Sequence, residues 1–540
     1  MTPVTRRRDP EEQSLATHGT ALFTGRAARL AASILFTAIL ARELGPAPLG
    51  SFQMALTVFA MLGALTDFGL PHAVVHHGLP SGPNGDWLFR RNAVNAGRLL
   101  LALVASSPLL ALFFGRAEVG LVMVAVSVAV CTAILFNLHT GLLRHELRFG
   151  ELAVIETASV VAGGLTGVLA ALLGAGVWAL VIQYAVQRLG LGAGAWLATG
   201  WRPRLAPRTP PDADLHRYTH YASGAMWGRL LGNVSRNVDR LVLGRVGGEA
   251  ALALFRTNLR YSELPSETAA QPLGQLCIGG LSRSTRRGAS DRGTFRTLFE
   301  ILLWLTVPAS VLVALEAELV ADLLLGPKWT GSAPVLRVLA LGSLALPLRQ
   351  ATKWVWLGEG RTGSFLRYSA LAAPVTVGAI LGGAWVGSAW PERARSLAAS
   401  LTRGGERGLP VLGPLPSPAD LRVPFEDSVA FDVAVPFAVA VCVAVAAWLQ
   451  APLAVAMACR GGGIVLRDFV GAGLPPVLMT GAAVLAWFLV QGDGPDPSTP
   501  AFVSAAARAT AFAGTVGVGG FALRGLPLRR ALALRPGGES

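Results

Sequence analysis

Between positions 228 and 244 the sequence reads GRLLGNVSRNVDRLVLG, and its polar residues are not scattered. On a helix turning about 100° per residue, Arg229, Asn233, Arg236 and Arg240 fall within about 60° of one another, with Asn237 beside them. Leu231, Val234, Val238 and Val242 take the opposite face. The next stretch repeats the device, with Arg256, Arg260, Glu263, Glu267 and Gln271 at i, i+4, i+7, i+11 and i+15 along one edge. Arg26 and Arg29 add cations near the start of the chain, with Asp67 as a candidate counter-ion, and Arg337, Arg349, Gln350 and Lys353 add a further polar group. Rows of guanidinium groups suit multidentate contact with an anion such as phosphate. Part of this charge has an internal partner in view: Asp239 follows Arg236 by three residues and Glu263 follows Arg260 by three. Glu263 and Glu267 are also candidates for coupling to a proton or sodium gradient. No catalytic constellation, metal site or bound cofactor is expected: there is no HExxH motif, and Cys131, Cys277, Cys442 and Cys459 lie in or beside apolar runs without CxxC spacing, as buried small hydrophobes do.

The segments that must carry these residues are built for lipid. The chain is 52% hydrophobic and 14% charged, with a mean hydropathy of +0.52, where soluble domains carry about 25% charged residues. Apolar runs long enough to cross about 30 Å of hydrocarbon as helices recur along its length. Fourteen are expected, near 22–41, 50–72, 96–115, 119–140, 152–173, 176–198, 221–244, 250–276, 298–325, 332–357, 366–388, 429–449, 470–490 and 501–523. The first apolar run continues past the length of a signal peptide without a small-residue cleavage pattern, so it reads as a retained helix. Alternate loops collect basic residues, including Arg6 to Arg8, Arg90, Arg91, Arg144, Arg148, Arg283, Arg286, Arg287, Arg529 and Arg530, while the intervening short loops hold little beyond Arg42, Arg116, Arg245 and Lys328. That asymmetry puts both termini in the cytoplasm, with the protein in the inner (cytoplasmic) cell membrane. The net charge of +14 is therefore topological, attracted to lipid headgroups, and nucleic acid is excluded as a partner because no basic soluble domain exists to present to it.

The Pro-rich stretch WRPRLAPRTPPDADLHRYTH, at 201–220, separates six spans from eight. Sliding the second part over the first by 203 positions matches Gly25-Arg26 with Gly228-Arg229, Leu40 with Leu243, Arg42 with Arg245, Gly45 with Gly248, Ala47 with Ala250, Leu49 with Leu252 and Phe52 with Phe255. Both copies would start on the same side, a parallel repeat of the kind found in several secondary transporters. The expected organisation is an all-α polytopic membrane protein: an N-terminal tail (1–20), a six-helix lobe (21–200), a linker (201–220), a pseudo-symmetric six-helix lobe (221–449) facing the first across a central cavity, two extra helices (450–525) and a tail (526–540). One long outer loop, 391–428, interrupts the second lobe, with a short amphipathic helix expected near 392–402.

Placing one arginine at mid-bilayer costs about 2.5 to 3.5 kcal/mol on insertion scales, so a stripe of them needs a reason. Cations outnumber carboxylates across the first, second, seventh, eighth and tenth spans, which points to an anionic substrate. The choice of Arg over Lys carries less weight, because the chain holds two lysines against forty-four arginines throughout. Position is the informative feature.

Three segments extend this reading. ILARELGPAPLGSFQMALTVFAMLGALTDFGLPHAVV (39–75) resembles the first two helices of polysaccharide-transporter, or oligosaccharide, flippases; NVSRNVDRLVLGRVGGEAALALFRTNLRYSELP (233–265) resembles their seventh and eighth; and LRDFVGAGLPPVLMTGAAVL (466–485) is similar to a late helix of that family. The resemblance implies the fold of the multidrug/oligosaccharidyl-lipid/polysaccharide exporter superfamily. It also implies export of a polyprenyl-pyrophosphate-linked oligosaccharide by alternating access, with membrane lipids, a polysaccharide polymerase and its assembly machinery as partners. Arg26, Arg29, Arg229, Asn233, Arg236, Arg240, Arg256 and Arg260 are the expected headgroup contacts. Two rival readings follow from the same residues. A drug/cation antiporter of that superfamily needs an acidic, aromatic cavity where this one is basic. A membrane glycan polymerase or ligase needs a carboxylate base, and the loop 391–428 supplies Glu392, Glu406, Asp420, Glu426 and Asp427 in no recognisable arrangement.

Overall fold

Gly45 and Pro46 decide the first turn of the chain. Gly45 adopts φ 78°, a left-handed conformation open to glycine, and Pro46 then starts a new helix with its ring already at helical φ. Helix α1 (Ala28–Leu44) therefore stops, and α2 (Pro46–Ala55) departs from it at 117°. The second repeat carries the same device 203 residues on, where Gly248, also at φ 78°, opens a new helix. These features belong to a computed structural model that describes residues 28–61, 70–80, 82–203, 237–286, 291–407, 433–460, 463–491 and 507–516.

Among the described residues there is no strand. After α2 come α3 (Thr57–Met61), α4 (Leu70–His77), α5 (Pro83–Phe114), α6 (Ala117–Ile134), α7 (Asn137–His145), α8 (Phe149–Leu172) and α9 (Val177–Thr199). The chain continues with α10 (Val238–Val246), α11 (Gly248–Arg286), α12 (Arg292–Leu315), α13 (Ala317–Leu324), α14 (Ser332–Ser343), α15 (Leu346–Gly358), α16 (Thr362–Ala389), α17 (Pro391–Arg407), α18 (Ala434–Cys459), α19 (Leu466–Gln491) and a last helix, α20, over 507–516. Eight spans among the described residues are long and apolar enough to cross a membrane: α5, α6, α8, α12, the α14–α15 run, α16, α18 and α19. The protein is a multi-pass, all-helical membrane protein. The bent α1–α2 pair makes a ninth if counted as one span, while α9 and α11 have spanning length but fall short of that apolarity.

Several expected spans are broken. The stretch 50–72 is divided at Leu56 between α2 and α3, and its part 62–69 lies outside the described residues; 119–140 is divided at Leu135 and Phe136 between α6 and α7; and 298–325 is divided at Glu316 between α12 and α13. Apolar runs record burial in lipid, and a helix can end inside one wherever its last carbonyls find partners. The amphipathic helix expected near 392–402 is α17, one turn longer at its C-terminal end; 408–432 lies outside the described residues.

Contacts divide the chain into units 1–250 and 251–540. Helix α10 belongs to the first unit, packing on α2 and α5 with Gly244 against the Phe114 ring. In the first unit, α8 and α9 form a tight hairpin turned by Gly174 and Gly176, both at positive φ. In the second, Phe295, Phe299 and Phe469 stack in a buried core with Trp354, Trp356, Cys277 and Leu281. A close backbone approach there joins α16 to α18: a Cβ added at Gly383 would lie 2.6 Å from Val439 Cα, and one at Gly387 2.6 Å from Val435 Cα. Helices in lipid associate by such close backbone packing, since no hydrophobic drive separates them from the tails. The C-terminal helices join this unit through Glu316, whose carboxylate accepts from Trp487 Nε1 at 2.8 Å and from Arg508 Nε at 2.9 Å.

Two stability predictions follow from these contacts. Gly383→Ala forces α16 off α18 and is expected to cost about 1 to 3 kcal/mol, the usual range for overpacking; Gly378→Ala, with no atom within 4 Å of its Cβ position, is expected to cost nothing. Thermal denaturation in detergent reads both, and equal losses would remove the packing explanation. Glu316→Ala leaves the Arg508 guanidinium without its carboxylate and is expected to cost about 3 kcal/mol, most of it recovered in the Glu316→Leu/Arg508→Leu double variant. A double-mutant cycle on unfolding measures that coupling.

Candidate functional site

The opening stripe is described only at its C-terminal end. Arg229, Asn233 and Arg236 lie outside the described residues, as do Arg26 and Asp67. Asn237 takes the N-cap position of α10, and its Nδ2 donates to the Ala60 carbonyl at 3.3 Å. One turn on, Arg240 Nη1 donates to the Leu56 carbonyl at 3.5 Å, a long bond at the point where α2 ends and α3 begins. The described end of the stripe thus lies against the backbone of α2 and α3. Asp239 is buried in the first turn of α10, where the positive end of the helix dipole favours a carboxylate.

Arg29, on α1, forms an ion pair with Glu156 of α8, and Arg144 Nη2 approaches the same carboxylate at 3.8 Å. Glu156 had no place among the expected site residues. Its signal in the sequence was a lone carboxylate inside the apolar run 152–173, which is itself a pointer to a pairing or functional role. Below it Arg148 makes a two-pronged contact with Glu151, at 2.8 and 2.6 Å, and holds the Ala198 carbonyl at 2.9 Å. This end of the first unit is a network of arginines and carboxylates that fastens α7, α8 and α9 together.

In the second unit the long helix α11 presents Arg256 and Glu263 half-buried and Arg260, Glu267 and Gln271 exposed. At about 1.5 Å per residue its 39 residues extend roughly 58 Å, well beyond the hydrocarbon core, and it carries Pro265 and Pro272 in its interior. Glu263 lines a cavity of about 60 Å³ together with Ser343, Arg349, Thr376 and Gln450. Gln450 is buried at 2% exposure; its Nε2 donates to Thr376 Oγ1 at 2.9 Å and to the Ala372 carbonyl at 3.3 Å, while its Oε1 finds no hydrogen-bond partner among the described residues. Ser343 donates to Ser310 across the neighbouring helices at 3.2 Å. The rest of the cavity's lining is apolar, with Leu259, Leu339, Leu346 and Val443 among it, so the polar groups border a small, largely apolar space. Of its lining, Glu263 and Arg349 were expected as polar positions, whereas Ser343, Thr376 and Gln450 are single uncharged residues in apolar runs and leave no periodic trace. Of the other tenth-span residues, Arg337 is engaged structurally, with Glu318 at 3.3 Å and the Ala314 carbonyl at 3.1 Å. No group of three or more metal-ligating side chains occurs among the described residues.

The comparisons with known proteins agree with the motif-level resemblance. The family described as "Polysaccharide biosynthesis protein" matches residues 39–334, more than half of the chain. Among curated relatives, the teichuronic acid biosynthesis protein TuaB of Bacillus subtilis (strain 168) is 22% identical over 341 residues, 61% of this chain and 70% of the relative. The succinoglycan biosynthesis transport protein ExoT of Rhizobium meliloti (strain 1021) is 24% identical over 360 residues, 65% and 70% of the two chains. Among solved structures, the lipid II flippase MurJ in an inward closed conformation superposes with a TM-score of 0.59 at 11% identity, covering 96% of this chain and 100% of that one. An inward-facing multidrug-resistance MATE family transporter of the MOP superfamily follows at 0.55 and 13%, covering 79% and 97%. At these identities the structural likeness speaks for the fold. By the extent of the sequence match and the agreement of its helical fold with those two transporters, the chain belongs to the polysaccharide biosynthesis protein family, as a membrane protein with the fold of the MOP exporters.

Proposed function

We propose that the protein is a flippase that carries a polyprenyl-pyrophosphate-linked oligosaccharide from the cytoplasmic to the outer leaflet by alternating access, in the inner membrane, with both termini cytoplasmic, and hands it to a polysaccharide polymerase and its assembly machinery. The observation that carries this reading is the arginine pair on α11: Arg256 and Arg260 sit one turn apart, half-buried and exposed, on a helix of spanning length within the stretch matched by the family. A pyrophosphate crossing hydrocarbon unaided faces a prohibitive desolvation cost, and a hydrated path lined by fixed guanidinium groups replaces the water it loses. The names of the relatives, in teichuronic acid and succinoglycan biosynthesis, support a glycan cargo. Arg26, Arg29, Arg229, Asn233, Arg236 and Arg240 are proposed to extend the anion path, with Asp67 and Asp239 as ion-pair partners. Glu263 and Glu267 are proposed to couple transport to a proton or sodium gradient, with the Glu263 cavity as the place where the ion is taken up. The cation-antiporter reading fits this charge poorly, and a glycan polymerase or ligase lacks a positioned carboxylate base; the protein is proposed to do no covalent chemistry.

The test is a proteoliposome assay that scores how much of a polyprenyl-pyrophosphate oligosaccharide becomes accessible at the far leaflet. Arg256→Ala and Arg260→Ala are each expected to slow transport about tenfold or more, since a charge-assisted contact is worth roughly 1.5 to 3 kcal/mol, while Arg256→Lys retains part of the rate. Arg229→Ala, Arg236→Ala and Arg240→Ala are expected to do the same, with Arg240→Ala also losing some stability through its Leu56 contact. Transport that survives every substitution sinks the site assignment and keeps the function. A correctly inserted wild type that moves no glycolipid under any imposed ion gradient overturns the flippase reading itself.

A further inference from the structure

The helix α17 begins one residue after a membrane span ends. Helix α16 runs to Ala389, Trp390 leaves the helical conformation at φ −130° and ψ 60°, and Pro391 starts α17. The two helices differ sharply in chemistry: α16 is apolar enough to cross a bilayer, and residues 391–407 hold four arginines and two glutamates in 17 positions. Such a segment ends the crossing and runs along the surface.

One stripe of α17 is taken up by the protein. Ala394 and Ala398 are buried and Leu401 half-buried, where the helix packs on α14 and α18. Beside that stripe, at about 100° per residue, Trp390, Leu397 and Arg393 fall within about 60° of one another. This flank is open: Trp390 is 47% exposed and Leu397 49% exposed. Trp385, 61% exposed on the last turn of α16, meets the Trp390 ring edge-on at 5.2 Å, and the Arg393 guanidinium stands over the same ring at 5.9 Å. The surface continues down α16 through Leu381, Val375 and Leu371, all exposed apolar residues of a spanning helix. Two tryptophans at the end of a lipid-facing surface, a leucine beside them and an arginine stacked above them form a graded boundary from hydrocarbon to headgroup.

We propose that the flank Trp385, Trp390, Arg393 and Leu397 is a binding surface for anionic phospholipid, which holds α17 in the plane of the membrane interface. The indoles and Leu397 enter the acyl boundary, and Arg393 meets the phosphate. Charge complementarity favours an anionic headgroup, because a basic side chain near such a surface contributes roughly fivefold in partition, about 1 kcal/mol. The opposite side, with Glu392, faces water. This proposal needs only that the chain be a membrane protein, and it stands or falls independently of what is transported.

The experiment places a nitroxide on Leu397→Cys or Glu392→Cys in the full chain carrying Cys442→Ser and Cys459→Ser, with Leu381→Cys as the lipid-facing reference and as proof of insertion. Reconstitution is into vesicles of phosphatidylcholine alone or of phosphatidylcholine with phosphatidylglycerol. The label at 397 is expected to relax with oxygen and be shielded from a water-soluble nickel chelate, like that at 381, with the reverse at 392. Phosphatidylglycerol is expected to increase the shielding at 397, and Arg393→Glu to abolish that increase. A label at 397 as open to the chelate as the one at 392 overturns the proposal in favour of a helix in water. One shielded from both reagents overturns it in favour of a protein cover, and indifference to phosphatidylglycerol removes the anionic headgroup.

Discussion

A guanidinium group placed among hydrocarbon tails has three ways to remain charged: it finds a carboxylate, it gathers backbone carbonyls, or it keeps water beside it. The described arginines of this protein use the first two repeatedly. Arg29 shares Glu156 with Arg144, Arg337 takes Glu318 and the Ala314 carbonyl, and Arg508 takes Glu316. Arg361 gathers the last carbonyls of α18, donating to Ala458 at 2.8 Å, Met457 at 3.2 Å and also Arg460, while its partner Glu359 receives the Gly463 amide. It closes the end of one helix and pins the turn that leads to the next. Several described arginines therefore pair with carboxylates or finish helix ends, and an anion-handling role has to be argued position by position.

The same constraint explains why helices break where they do. A span that ends within the bilayer exposes carbonyls, and around the break at Leu56 the backbone of α2 and α3 is met by Arg240 and Asn237, residues that follow about 180 positions later in sequence. The repeat supplies the pairing. In each copy a positive-φ glycine, Gly45 or Gly248, ends one helix and redirects the chain, and in the first unit the two redirected segments touch. A Cβ at Gly50 would fall 1.9 Å from the Glu249 carbonyl oxygen, so only glycine admits that approach. Arg116 reaches Glu249 at 2.6 Å at the same place. The short motif around each glycine thus sets both where a span turns and what it packs on.

What the sequence disclosed follows from what leaves a periodic mark. Apolar length gave the helices, and charge at helical spacing gave the stripe on α11, because both signals repeat over many residues. The offset of 203 drew attention to Gly45 and Gly248 as equivalent positions, though not to the positive φ they share. Breaks at Phe136 and Glu316 were invisible, since the apolar run passes through both and the partners that permit them lie elsewhere in the chain. Glu156, Gln450 and Thr376 were missed for a related reason: each is one polar residue in an apolar turn, and its meaning depends on a neighbouring helix. Arg229, Asn233 and Arg236, three of the five residues of the first stripe, fall outside the described residues, so their helical register rests on the sequence argument.

Arginine also limits where any coupling chemistry can occur. Its side chain does not release a proton under physiological conditions, so a cycle driven by a proton gradient must load and unload a carboxylate or a histidine. Glu156 and Glu316 are committed to arginines through short contacts, and neutralising either one strands a cation in low dielectric. Glu263 borders a small cavity that it shares with Arg349, a fixed positive charge, and with Gln450, whose Oε1 finds no hydrogen-bond partner among the described residues. Under the proposed transport cycle, Glu263 is the carboxylate that exchanges the ion, beside the fixed charge of Arg349. The proposed headgroup contacts Arg256 and Arg260 lie on the same helix as Glu263, so in that cycle one element carries both the ion and the cargo contacts.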